Sequence, residues 1–160
     1  VESTAISLFV SMLVLVLLTR RLGQSLVVIL PVGLAGAWVV GAMAMLGINW
    51  NVLTIMITAL TIGLGIDYSI HVWRRIEANR GSGMGTWEAM RNMYSTTGTA
   101  LLLSSGTTIC GFMVLVLSPI PVIQDFGVVS SISVLFSLVM ALLVLPGLLA
   151  AEFRTSSDYA

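Results

Sequence analysis

The sequence predicts an all-α fold, a polytopic bundle of transmembrane helices. Of its 160 residues 58% are hydrophobic and only 9% are charged, where ordinary soluble domains carry about 25% charged residues. The mean hydropathy is +1.06. The apolar residues gather into runs long enough for a bilayer core, which takes about 20 residues of helix. Lys is absent and all seven basic residues are Arg, placed between these runs and after the last of them.

Five runs qualify as spans. The first covers 3–19 and is closed by Arg20-Arg21. The second covers 25–46; Pro31 is tolerated in its early turns and Gly47 serves as its C-cap. Gly47 to Asn51 makes a turn, with Trp50 suited to a membrane interface. The third span covers 52–73 and is closed by Arg74-Arg75. The fourth covers 98–117 and ends at Ser118-Pro119-Ile120-Pro121. The fifth, 123–150, is long enough to tilt, with Pro146 placed to kink or finish it. Together they form a transmembrane domain over 1–151, followed by a tail over 152–160.

Between spans three and four, Gly81-Ser82-Gly83-Met84-Gly85 reads as a flexible linker. It has neither the Lys nor the preceding strand of a phosphate loop. Thr86 is expected to cap a short helix over 86–96, with Glu88 in its first turn. Trp87, Met90 and Tyr94 fall on one face of that helix, which suits the membrane interface. The single cysteine, Cys110, lies within an apolar span. It allows no disulfide or Cys-based metal site and reads as a small buried hydrophobe. No metal or cofactor site is expected, and the zero net charge gives no basis for a nucleic-acid partner.

An alternating thread puts every Arg on one side of the membrane. By the positive-inside rule that side is cytoplasmic, with the N-terminus outside and the C-terminus inside the plasma (inner) membrane. The chain opens Val1-Glu2-Ser3 without an initiator Met, and its first span lacks the basic flank of a signal peptide. It reads as part of a longer protein.

One acid breaks this pattern. No charged residue occurs from Leu22 to Ile66; then Asp67 appears inside span three. A carboxylate at membrane depth costs about 2.5–3.5 kcal/mol on insertion scales, and such residues mark proton or ion pathways. Rising about 1.5 Å per residue, the helix places Asp67 roughly 10 Å inside the level of Arg74. His71 shares its face at i+4, and Gly63, one turn before, permits close helix approach. Thr54, Thr58 and Thr61 add hydroxyls along the same helix. Span four offers Ser104, Ser105, Thr107 and Thr108 as neutral partners and is expected to pack against span three, but no Arg lies at membrane depth. Asp67 therefore either takes up a proton during a cycle or meets a partner from another segment.

The run Gly63-Leu64-Gly65-Ile66-Asp67-Tyr68-Ser69-Ile70-His71, followed by Arg74-Arg75, resembles the signature of the resistance-nodulation-division (RND) superfamily. The branch it resembles is that of MMPL and hydrophobe/amphiphile exporters, related to patched and sterol-sensing domains. Ala89-Met90-Arg91, Thr107-Thr108, Gly111-Phe112, Phe126-Gly127 and Leu145-Pro146 extend the likeness over nearly the whole chain. The resemblance implies a transporter of two pseudo-symmetric halves, of which this chain is the last five helices of one. It implies proton-driven export of hydrophobic or lipid-like substrates, with the Asp-Tyr pair meeting its counterpart from the other half or a second copy. On that basis the expected proton relay is Asp67, Tyr68 and His71 with Ser104, Thr107 and Thr108, and Gly63 and Gly65 are packing positions. A sterol- or lipid-sensing regulator and a proton-driven protein-export subunit are the alternative readings. No enzyme is expected: the spacing Gly63-x-Gly65-x-Asp67 is one residue longer than the Gly-x-Gly-Asp element of intramembrane aspartyl proteases, and serine-elbow and zinc motifs are absent.

The orientation has a direct test. With single cysteines introduced for membrane-impermeant labelling from outside, Asn49→Cys and Ser118→Cys react, while Ser82→Cys and Ser156→Cys stay unlabelled. The reverse pattern would overturn the topology.

Overall fold

The structure, a computed structural model, describes residues 22–48 and 52–150. The expected first span, the turn residues Asn49 to Asn51 and the tail over 152–160 lie outside the described residues, as do Arg20, Arg21 and Arg154. The described residues are helical and contain no strand. Four helices are long and apolar enough to cross a membrane, Ile29–Leu46, Ile55–Gly81, Thr86–Leu117 and Pro121–Ala150. They correspond to expected spans two to five.

Helix α1 is Leu22–Leu46, with Pro31 inside it. Gly47 ends it at φ 66°. The Gly47 N–H donates to Ala44 O and the Ile48 N–H to Met43 O, the paired reversal of a Schellman motif, in which glycine adopts the left-handed conformation without a Cβ penalty. Helix α2, Val52–Gly81, has 30 residues and so spans about 45 Å. It runs past Arg74-Arg75, where the sequence had closed the span. Arg ends an apolar stretch but is a good helix former, so the helix continues until the Gly81–Gly85 segment stops it. There Gly83 turns the chain at φ 90°.

Helix α3, Thr86–Met93, starts from Gly85 as its N-cap, with no side-chain cap; Thr86 is its first residue rather than the cap. Its buried residues are Ala89, Met90 and Met93, whereas Trp87 is 82% exposed. Of the expected Trp87–Met90–Tyr94 face, Met90 therefore docks and Trp87 does not. Docking is fixed by Asn79 of α2, whose Nδ2 donates to Ala89 O at 3.0 Å and to Asn92 Oδ1 at 3.2 Å. Arg75 adds a bond from Nη2 to Asn92 Oδ1 at 3.2 Å. Nor is α3 a separate surface helix. A π turn, Tyr94–Gly98, carries it into α4, Thr99–Val114, so the connector and span four are one bent rod.

A 3₁₀ turn, Leu115–Leu117, closes α4. Helix α5, Pro121–Val139, begins with proline in its first turn, where a missing N–H costs nothing. Gln124 Nε2 donates back to Ser118 O at 2.7 Å and steadies that turn. The π turn Met140–Val144 follows α5, and the helix continues to Ala150. Pro146 thus widens span five instead of ending it.

Helix α5 lies at the centre of the bundle, packed against α1, α2 and α4, and α2 packs against α1, α5 and α3. The larger core cluster joins Ile66, Tyr68, Val72 and Ile76 of α2 to Val134, Leu138, Leu142 and Leu145 of span five. Trp38 of α1 meets Phe136 edge-on at 5.4 Å. The α4–α5 hairpin closes on Gly127, where a Cβ would stand 2.7 Å from Phe112 O and 3.0 Å from Leu115 Cβ. Cys110 is exposed on α4 and is not the buried hydrophobe expected: among the described helices, α4 is held along one side only, by α5.

Gly127→Leu should lower stability by about 1–3 kcal/mol, the usual cost of forcing bulk against backbone. Gly111, where an added Cβ would meet nothing within 4 Å, should accept Leu. Thermal unfolding of both variants in lipid nanodiscs checks this, and equal losses would contradict the hairpin contact.

Candidate functional site

Helix α2 presents two chemically different sides. One faces its neighbours and buries Ile57, Thr61, Ile62, Tyr68, Ser69, Val72 and Trp73. The other exposes Met56, Leu60, Gly63, Asp67 and His71. Steps of three and four residues connect the exposed set, so it forms one stripe along the helix.

The rotation of α2 is fixed by small and hydroxylic side chains. Thr61 Oγ1 donates to Ile57 O at 2.7 Å and forms a hydrogen bond with Ser133 Oγ of α5. Ser137 Oγ donates to Thr61 O at 3.5 Å. A Cβ on Gly65 would lie 3.2 Å from Val32 Cγ1 and 3.5 Å from Ser137 Oγ. Thr61 with Ser133 and Gly65 with Ser137 share one offset of 72 residues, so α2 and α5 run parallel and in register here. Ser69, Ser130, Ser131 and Ser133 are also buried. Ser131 Oγ returns to Gly127 O at 2.8 Å, while the Ser69 and Ser130 hydroxyls have no hydrogen-bond partner among the described residues.

With that rotation, the expected relay residues divide. Asp67 and His71 stand together on the outer stripe, both exposed. Tyr68, next in sequence to Asp67, is 6% exposed and belongs to the core. No hydrogen bond or ion pair reaches Asp67 from the described residues. Gly65 makes the close approach expected of it; among the described residues, nothing lies within 4 Å of Gly63 on its side.

The structure does not bring Ser104, Thr107 and Thr108 to Asp67. Span four was expected to pack against span three, but α4 lies against α5 instead. Thr107 Oγ1 and Thr108 Oγ1 both donate to Ser104 O, at 2.7 and 2.9 Å, and Ser104 and Thr107 are exposed. Hydroxyls that satisfy themselves on their own helix do not require a neighbour. The serines seen to adjoin α2, Ser133 and Ser137, are not singled out by the sequence. Their signal is present as a step of four along span five, but an equal run of hydroxyls in span four competes with it.

Among the described residues no group of three or more His, Cys, Asp or Glu could hold a metal ion.

These features define a multi-pass α-helical membrane bundle with a carboxyl on the outer face of one span. The chain belongs to the MMPL family, whose sequence profile matches residues 2–155, and so to the RND-type superfamily. It is 36% identical over 152 residues to a protein of Methanocaldococcus jannaschii named only as a membrane protein, covering 95% of this chain and 39% of that one. It is 28% identical over 160 residues to the probable transport protein MmpL4 of Mycobacterium leprae, covering 96% of this chain and 17% of that protein. With patched homolog 1 of Danio rerio it shares 28% identity over 136 residues, 79% of this chain and 11% of that protein. The chain thus spans well under half the length of these relatives. No solved structure matches it.

Proposed function

We propose that this chain is the membrane part of a proton-driven exporter of hydrophobic or lipid-like substrates, with Asp67 as the proton carrier. The observation that carries the reading is the exposed stripe of α2. Asp67 and His71 are turned away from every described helix and share a face with Gly63, which leaves room for a further helix.

A carboxyl directed at lipid would be costly, and intramembrane acids face protein or water. The stripe is therefore covered by protein, from the transporter's other half or a second copy of this chain. In that setting Asp67 exchanges a proton with its opposite partner while His71 stands one turn nearer the Arg-rich end. The family membership and the likeness to a protein named as a transporter support this reading. The Arg-rich end then faces the cytoplasm and the membrane is the plasma (inner) membrane.

Asp67→Asn in the full-length protein should abolish proton-gradient-driven export from vesicles while leaving insertion and folding intact. Asn is nearly isosteric and keeps hydrogen-bonding capacity, but it cannot titrate. Tyr68→Phe removes one hydroxyl and should cost about fivefold or less, the scale of one hydrogen bond. Export at the unsubstituted rate from the Asp67→Asn protein would end the proton-carrier reading.

A further inference from the structure

Two π turns meet near the Arg-rich end of the bundle. One, Tyr94–Gly98, bends the rod formed by α3 and α4; the other, Met140–Val144, widens span five. They touch at Gly98, where a Cβ would lie 3.6 Å from Tyr94 Cδ1 and 3.8 Å from Leu142 Cδ2. Wide turns of this kind inside α-helices often sit at functional positions.

The hydrogen bond between them is specific. Tyr94 Oη donates to the backbone carbonyl of Leu142 at 2.6 Å, across 48 residues of sequence. In an α-helix that carbonyl would accept from the N–H four residues later. That residue is Pro146, which has no N–H, and its ring also crowds the carbonyl four residues before it. Tyr94 thus provides a donor to the carbonyl that the proline cannot serve.

We infer that Tyr94 and Pro146 form a hinge clamp, in which a side-chain hydroxyl replaces a missing backbone donor and ties the bend of span five to helix α3. A helical carbonyl satisfied from within its own helix would leave span five independent of its neighbour. Here the donor belongs to another element, so the two bends open or close together. The clamp extends to α2 as well. Asn79 and Arg75 of α2 hold Ala89 and Asn92 of α3, and α3 leads directly into Tyr94. A shift at the Arg-rich end of α2, the helix that carries Asp67, is passed by this route to span five. The clamp is independent of the substrate and of proton coupling.

The test is a double-substitution cycle on the full chain in lipid nanodiscs, read by amide hydrogen exchange over residues 140–150. Tyr94→Phe should speed exchange there about fivefold, the factor expected from losing one hydrogen bond. Pro146→Ala restores an N–H four residues after Leu142, so adding Tyr94→Phe to it should change exchange by less than about twofold. An equal acceleration in both backgrounds, or none in either, would overturn the clamp. Should Tyr94→Phe alone fail to fold, folding of the doubly substituted chain supports the clamp and failure of both overturns it.

Discussion

A helix wedged between two neighbours has one rotation at which its small residues meet both, and for α2 that rotation is set at Thr61 and Gly65. Lipid provides no hydrophobic drive for one apolar helix to seek another, so close packing and short polar contacts decide which sides meet. Thr61 bonds Ser133, and Gly65 admits Val32 and Ser137. Every other position along α2 follows from that contact. Tyr68, Val72 and Ile76 turn into the core, and Gly63, Asp67 and His71 turn out. A carboxyl at membrane depth is thus displayed by the same contact that holds the helix in place.

Much of the architecture was legible in the sequence because membrane helices are governed by few rules. Apolar length was the guide, and the stretches expected at 25–46, 52–73, 98–117 and 123–150 each fall within a longer observed helical segment. Their ends were less legible. Arg74-Arg75 marks the end of apolar sequence, but α2 continues to Gly81 because nothing there opposes helical geometry. Thr86 has the chemistry of a cap, yet Gly85 occupies the cap position. Pro146 has the chemistry of a kink or an end, and the chain accommodates it with a π turn.

The candidate site was legible only in part, for a related reason. The spacing of Gly63, Asp67 and His71 placed them on one face, which holds for any straight helix. Which helix adjoins the other side depends on three-dimensional arrangement. Spans four and five both carry runs of Ser or Thr, and span four was expected to adjoin because Asp67 needs neutral hydrogen-bond partners. Thr107 and Thr108 instead satisfy themselves on Ser104 O, whereas Ser133 and Ser137 reach across to Thr61. The hydrogen bond from Tyr94 to Leu142 was equally invisible, since it joins two bends that exist only once the helices are packed.

Paired cysteines in a Cys110→Ala background test the rotation of α2 most directly. With Thr61→Cys and Ser133→Cys introduced together into the full-length protein in membranes, oxidation should join them efficiently. With Asp67→Cys and Thr107→Cys, no intramolecular bridge should form. Efficient bridging of the second pair and failure of the first would show that α2 turns Asp67 toward span four, and the account of an outward-facing carboxyl would be wrong.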